Sequence, residues 1–140
     1  MNLRANLVMR LHVRIEKPIS VGRTAAGQLS IIPIVGGAFE GPEIRGEVCP
    51  GGADWNTRIS ETHSHVLARY WLKTSDGEYI SIENEGMIDS HNRDRIILTT
   101  PRFQVDLDGK YGYLASGAYV GELKVGDDPG QVVITIYQMD

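Results

Sequence analysis

Two charged side chains near the middle of the chain are the best equipped for chemistry. Asp54 follows Gly51-Gly52-Ala53 and is followed at once by Trp55. A carboxyl held against an aromatic ring in a partly dry pocket has its pKa raised, and it then serves as a proton donor or acceptor. Arg69 lies in an alternating run that sets His65, Leu67, Arg69 and Trp71 on one face. A guanidinium inside a barrel strand must be paired, and its planar fork holds a carboxylate through two hydrogen bonds. Arg102, after Pro101, is a second anchor of this kind. Tyr79 and Tyr113 each fall in an expected strand and offer a hydroxyl. This set gives Asp54 and Tyr79 a proton to move. It gives Trp55, Arg69, Arg102 and Tyr113 a small hydrophobic or aromatic carboxylate to hold. Cofactor-independent lyase or decarboxylase chemistry suits such a site.

Each of these residues also has a plain structural role open to it. Asp54 is a suitable cap for a short helical turn, Trp55 a plug for one end of a barrel, and Arg69 a salt-bridge partner for Asp54 or Glu83. His63 and His65 lie two apart and share a strand face, a spacing that metal sites use. The position a cupin would give to glutamate holds Arg69, which repels a metal, so no metal is expected. Cys49 has no histidine near it in sequence and suits a small buried apolar position. The glycines from Gly36 to Gly41 are not a phosphate loop, because a strand follows and Pro42 blocks a helix. No cofactor motif is present. Glu83 and Glu85 share a strand face and are expected to be solvated.

The elements that must position these residues read as short strands. Gly (16) and Pro (6) recur throughout and leave few windows for a helix. Leu3, Leu7, Leu11 and Ile15 fit a helical stripe. Leu7, Met9, Leu11, Val13 and Ile15 also alternate, and a strand uses all five. Further strands are expected at Ile19–Val21, Leu29–Val35 and Glu43–Val48, with Gly36-Gly37 breaking the second. Asp54–Thr62 is expected to be irregular. Ser64–Lys73 and Glu78–Asn84 form a hairpin across Ser75-Asp76-Gly77, whose Asp and Gly tolerate positive φ. Gly86–Asp94 reads as a polar loop. Arg95–Thr99 and Phe103–Leu107 follow, with Pro101 at an edge or corner. Tyr113–Val125 is a bent strand or strand pair with Gly117 and Gly121 as bend or bulge points. Gln131–Tyr137 is last. About ten short strands at this spacing predict an all-β fold, an antiparallel barrel or sandwich, and a barrel of eight to ten strands has room for one small ligand.

Composition bounds the rest. At 140 residues the chain is expected to be a single domain, residues 1–140. A formal charge of −4, with no basic run, excludes nucleic acid as an expected partner. The one cysteine forbids an internal disulfide and suits a reducing compartment. No apolar run approaches the roughly 20 residues of a membrane span, and the first 16 residues lack a signal-peptide pattern. A cytoplasmic location without membrane contact is the expectation. Apolar edge strands such as Val132–Tyr137 would support a homodimer or higher homo-oligomer.

The residues also carry a resemblance. Gly36-Gly37-x-Phe39-x-Gly41-Pro42, Gly46 and Pro50-Gly51-Gly52-Ala53-Asp54-Trp55 resemble the DUF3237 proteins, also called UPF0311. Ala68-Arg69-Tyr70, Lys73-Thr74-x-Asp76-Gly77, Asn84-x-Gly86 and Pro101-Arg102-Phe103 continue the match. It runs from about Gly22 to Tyr137, and the Gly-Gly-Ala-Asp-Trp block is its specific part. The resemblance implies an antiparallel calycin-like, lipocalin-related β-barrel whose ligands are small aromatic or apolar acids. The chain departs from the family where Tyr113-Leu114-Ala115 replaces the usual Trp-Leu-Asn, and where Ser60-Glu61 replaces Asp-Gly. Two other functions compete with the enzyme: a lipocalin-like protein that binds without chemistry, and a filled barrel serving as a structural oligomer.

Overall fold

The computed structural model describes residues 1–92 and 96–140. Ten strands run in chain order: β1 (Ala5–Ile15), β2 (Ile19–Thr24), β3 (Gly27–Glu40), β4 (Arg45–Val48), β5 (Gly52–Arg58), β6 (His63–Thr74), β7 (Tyr79–Asp89), β8 (Ile97–Gln104), β9 (Ala118–Val125) and β10 (Gln131–Met139). Two single 3-10 turns, Ser90–Asn92 and Gly112–Ala115, are the helical pieces among the described residues. β1 is a strand, as its alternation predicts, with Met9, Leu11 and Val13 buried.

The described pairings are all antiparallel, and eight strands close a ring: β1, β10, β9, β8, β7, β6, β5 and β3, with β3 returning to β1. The other two strands extend broken ones. β4 pairs the same neighbours as β5, but nearer one end of the barrel. β2 pairs β3 at Gly27–Ile31, where β1 has already left it. β10 is flanked on both sides by β1 and β9. It is therefore no edge strand, and it offers no free backbone row for a second copy.

Several boundaries differ from the expectation. β3 runs through Gly36-Gly37 instead of breaking there. A bulge opposite Arg14 and Ile15 absorbs the extra residue, which keeps Ile34 and Phe39 both facing inward. The stretch expected to be irregular from Asp54 begins with strand β5, paired on both sides. β7 continues through Gly86 to Asp89, so part of the expected polar loop is strand; Asp94, and Arg95 at the start of the next expected strand, lie outside the described residues. β8 passes straight through Pro101, which lies beyond the Ile97–Thr99 segment paired to β9. Gly117 does bend the chain, at φ 97°. Gly121 is not a bulge, because the β9–β10 register is regular through it.

The barrel has two unlike halves. One is filled by Met9, Leu11, Phe39, Leu72, Ile82 and Ile136, all essentially out of water, each contributing about 1.5–3 kcal/mol. The Gly112–Ala115 turn caps this half with Leu114. Phe103 meets Tyr119 edge to face at 5.3 Å, a favoured aromatic geometry. The Tyr111 hydroxyl donates to the Asp76 carboxylate at 3.0 Å and ties the cap to the β6–β7 turn. The other half is not filled.

Candidate functional site

The unfilled half holds a cavity of about 190 Å³ that opens in part to solvent. Its position follows from strand parity. On β6 the inward side chains are Val66, Ala68, Tyr70 and Leu72, and the outward ones include His65, Arg69 and Trp71. β5 turns Asp54 and Asn56 inward and Trp55 outward.

The cavity wall is divided in two. Four consecutive strands, β5 to β8, supply the polar groups Asp54, Asn56, Tyr70, Asn84 and Thr99. The facing strands β9, β10, β1 and β3 supply only aliphatic side chains, Leu123, Val132, Ile134, Ile15, Ile32 and Ile34, and Val66 on β6 and Ile88 on β7 add apolar surface beside the polar groups. Ala68 lies between the two acidic and amide strands, paired to Asp54 on β5 and to Asn84 on β7. Its short side chain leaves the space above it open. No Lys or Arg lines the cavity among the described residues.

Glycines let this wall form. Gly51 adopts φ 117° at the joint between β4 and β5, and the Trp71 ring lies where its side chain would be, at 2.6 Å. A Cβ on Gly52 would run into the backbone and Cβ of Tyr70. The close approach of β5 to β6 at that point therefore requires glycine. A Cβ on Gly121 would strike the Thr99 hydroxyl, beside the Asn84 carboxamide. Gly121 thus leaves room for two polar groups in the core.

The electrostatics are those of a dry polar site. Asp54 Oδ1 accepts the Leu67 N–H at 3.1 Å, and its carboxyl has no other hydrogen bond among the described residues. Burial pushes its pKa above the ordinary aspartate value. The Leu67 N–H and the more distant His65 oppose that shift without cancelling it. Complete burial, helped by the negative charge of Asp54, pushes the Tyr70 phenol well above its usual range, so it stays protonated. The Tyr70 hydroxyl, Asn84 Oδ1 and Thr99 Oγ1 are buried and lack a hydrogen-bond partner among the described residues. Such groups are few in folded proteins, and here three line one cavity.

Of the residues that sequence analysis selects, Asp54 alone lines this cavity. Arg69 is on the outer face, its side chain 69% exposed and 3.5 Å from Glu83. Arg102 is also exposed, on the far side of Glu83 in the same cross-strand row. Trp55 lies outside between Ile31 and Leu67. Tyr79 is 60% exposed, with the Lys73 ammonium 5.7 Å from its ring centre. Tyr113 sits on the cap at the filled end, half exposed and 6.4 Å from the Tyr111 ring. An interior anchor would need these side chains to point the other way. His65 pairs with Glu85 at 2.8 Å on the outer surface, and His63 lies 4.0 Å from Asp89. Among the described residues no group of three or more His, Cys, Asp or Glu is placed to hold a metal, and no helix is long and apolar enough to cross a membrane.

Tyr70, Asn84, Thr99 and Asn56 are the polar residues that sequence analysis does not select. The alternation of β6 carries a usable signal. Arg69, Trp71 and Lys73 share one face, and a face with two fixed cations belongs to water. Tyr70 must then face inward.

Wider concavities of 570 and 640 Å³ lie at the filled end, around Asp76. They are open surface. Around Asp76 the Thr74 hydroxyl donates to its carboxylate, the Lys110 ammonium pairs with it, and the Lys110 N–H donates to Glu78.

Comparison with known proteins agrees with the barrel fold. The family described as "Protein of unknown function (DUF3237)" matches residues 3–139. A UPF0311 protein of Bradyrhizobium diazoefficiens is 29% identical over 146 aligned residues, covering 94% of this chain and 93% of that protein. A UPF0311 protein of Clostridium acetobutylicum is 33% identical over 81 residues, which span 57% of this chain and about half, 51%, of the relative. Among solved structures, a β-barrel-like protein from Acinetobacter baumannii superposes with a TM-score of 0.87 at 25% identity, covering 100% of this chain and 98% of the other. A protein described as an enzyme from Penicillium herquei superposes at 0.78, covering 99% and 94%; at 19% identity it shares the fold.

Proposed function

The chain belongs to the DUF3237 family, and we propose that its barrel binds a small, mostly apolar and uncharged molecule carrying a hydrogen-bonding oxygen, with Asp54 as the proton donor or acceptor. One observation carries this proposal. Tyr70, Asn84 and Thr99, each with a buried polar atom that lacks a partner among the described residues, line one cavity together with aliphatic side chains. Leaving such a group unpaired costs about 1–3 kcal/mol. A ligand oxygen that accepts from the Tyr70 and Thr99 hydroxyls removes that cost for those two groups, a ligand hydroxyl also donates to Asn84 Oδ1, and the apolar body packs on the aliphatic side chains.

Size and charge narrow the ligand. A dry cavity of about 150 Å³ accepts a benzene ring, so 190 Å³ suits a single ring with a short substituent. The lining has a carboxyl and no cation, and Arg69 and Arg102 are outside. A carboxylate would therefore meet Asp54 without a counter-charge, at a cost of several kcal/mol in a dry site. A ketone, phenol or alcohol of the same size avoids this. The aromatic or apolar acid expected from sequence fits only with its charge removed.

The test is a thermal-shift titration with acetophenone, phenol and benzoate, on wild type and on Ala68→Leu, which fills the space between Asp54 and Asn84. Ligand at 100 times its Kd stabilises by about 2.7 kcal/mol. The neutral compounds are expected to stabilise the wild type and to lose most of that effect in Ala68→Leu. Equal stabilisation of both proteins would locate binding elsewhere, and stabilisation by benzoate alone would refute the preference for an uncharged ligand.

A further inference from the structure

The arrangement around Ala68 goes beyond binding. Asp54, Ala68 and Asn84 lie side by side on β5, β6 and β7, so Asp54 and Asn84 stand two strand spacings apart, about 10 Å between Cα atoms. Ala68 puts nothing above its Cβ in that gap. Tyr70 follows Ala68 on the same face of β6, and Thr99 faces the gap from β8 beside Asn84. A carbonyl group lying over Ala68 with its oxygen toward Asn84 has Tyr70 on one side of that row along the strands and Thr99 on the other. Its neighbouring carbon would then face Asp54.

Resting on the binding function proposed above, we infer that the site catalyses proton transfer at the carbon next to a carbonyl, with enolisable aldehydes and ketones as its substrate class. Asp54 is the base and the Tyr70, Thr99 and Asn84 groups stabilise the oxyanion. In the forward step a carboxylate oxygen of Asp54 takes the α-proton. The C–H electron pair becomes the carbon–carbon double bond of the enolate, and the carbonyl π pair moves onto oxygen. Tyr70 and Thr99 donate O–H hydrogen bonds to that oxygen, and the Asn84 carboxamide has an NH₂ to add. The Asp54 carboxyl then returns its proton to the same carbon, giving exchange. In an unsaturated ketone it returns the proton to the γ-carbon, giving double-bond migration. No proton or electron is gained or lost overall, and no co-reactant is needed.

Three features of the site suit this step. Asp54 has one anchoring hydrogen bond, from Leu67, and no side-chain donor among the described residues, so its basicity is not spent on a structural pair. Complete burial and the nearby Asp54 keep the Tyr70 phenol protonated as a donor. The Tyr70 and Thr99 hydroxyls are unpartnered before substrate arrives, so no existing hydrogen bond of theirs has to break as charge develops on oxygen, which is where electrostatic catalysis gains most.

Exchange of α-hydrogens in D₂O, followed by proton NMR, tests this directly. The substrates are acetophenone and cyclohexanone, and benzaldehyde, which has no α-hydrogen, is the binding control. Thermal shift is recorded on the same samples. Wild type is expected to accelerate loss of the α-proton signal over buffer. Asp54→Asn should lower the rate about 100-fold or more, within the usual contribution of a general base. Tyr70→Phe should lower it about 10- to 100-fold, and Arg69→Met, on the outer face, should keep the wild-type rate. Stabilisation by the ketones without exchange would overturn the catalytic inference and leave the binding function standing. Absence of both would overturn both. Exchange undiminished in folded Asp54→Asn and Tyr70→Phe would place the base elsewhere and refute the assignment.

Discussion

Removing the Tyr70 hydroxyl should stabilise the ligand-free protein. Tyr70 is 3% exposed, and its oxygen has no partner among the described residues. A buried hydroxyl with a partner contributes about 0.5–1.5 kcal/mol, so its loss normally destabilises; one without a partner costs about 1–3 kcal/mol. Tyr70→Phe keeps the ring and its packing and deletes that cost. The expected change is therefore a gain of at least about 1 kcal/mol. For a chain of this length that is a rise of roughly 4 °C in Tm, read by circular dichroism melts or urea unfolding. Thr99→Val, an isosteric change at a residue 4% exposed, should act in the same direction. Saturating acetophenone should reverse the order of wild type and Tyr70→Phe, because the ligand then bonds the hydroxyl. A Tm for ligand-free Tyr70→Phe about 2 °C or more below wild type would show that the hydroxyl is already satisfied. The inference from unpaired groups to a ligand would then fail.

Three further predictions follow from the same geometry. Arg69→Met should change stability by less than about 1 kcal/mol in a urea melt, because its exposed ion pair with Glu83 is of the kind that contributes little, and it should leave ketone binding intact; loss of binding would place the cation at the site after all. Asp54 has a folded-state pKa raised above its unfolded value, so its contribution to stability is present in acid, below the ordinary aspartate pKa, and is lost as pH rises through the folded value. Wild type should therefore lose stability relative to Asp54→Asn over that window, and paired melts that keep a constant gap from pH 3 to pH 8 would contradict it. Gly52→Ala should destabilise by about 1–3 kcal/mol or more, since its Cβ meets the Arg69 carbonyl and the Tyr70 Cα and Cβ, none of them the end of a flexible side chain; an unchanged urea midpoint would mean that β5 and β6 separate freely.

The barrel was legible in sequence because its evidence is periodic. Alternation in β1, β6 and β10, turn residues at Ser75-Asp76-Gly77 and the Gly51-Gly52 block all give local signals. The site was less legible because it depends on parity, and a one-residue shift moves every side chain to the other face. Arg69, Trp71 and Tyr79 drew attention as charged or aromatic groups in strands, yet each neighbours the inward residue that matters. Tyr70 separates Arg69 from Trp71, and Ile80 follows Tyr79. Glycine carried a second ambiguity. Gly36-Gly37 looked like a break and is paired strand next to the bulge at Val35, while Gly121 looked like a bulge and is a flat strand position that makes room for Thr99. Both roles depend on the neighbouring strand, which no local window contains. Asp54 was legible because the Gly-Gly turn before it is itself a local signal, although the strand it starts was expected to be irregular.

The division of the barrel gives the polar arc its meaning. A barrel of this size can be filled by side chains, and its own other half is, from Met9 and Phe39 to Leu114. The unfilled half has small residues where large ones would close the space: Ala68 between Asp54 and Asn84, and Gly121 opposite Thr99. Leucine at position 68 would complete an apolar core of the kind seen at the filled end. Instead, all the polar lining groups fall on four consecutive strands, beside Val66, Ala68 and Ile88, while the other four strands supply aliphatic side chains alone. A merely underpacked core would lose dispersion contacts, but it would have no reason to collect unpaired oxygens on one wall. The filled end, tied by Tyr111 to Asp76 and by Tyr119 to the Ser116 carbonyl, fixes the strands that carry both walls. A molecule in the cavity thus meets donors and a carboxyl whose positions are set before it arrives, the condition under which an unpaired polar group becomes a binding or catalytic one.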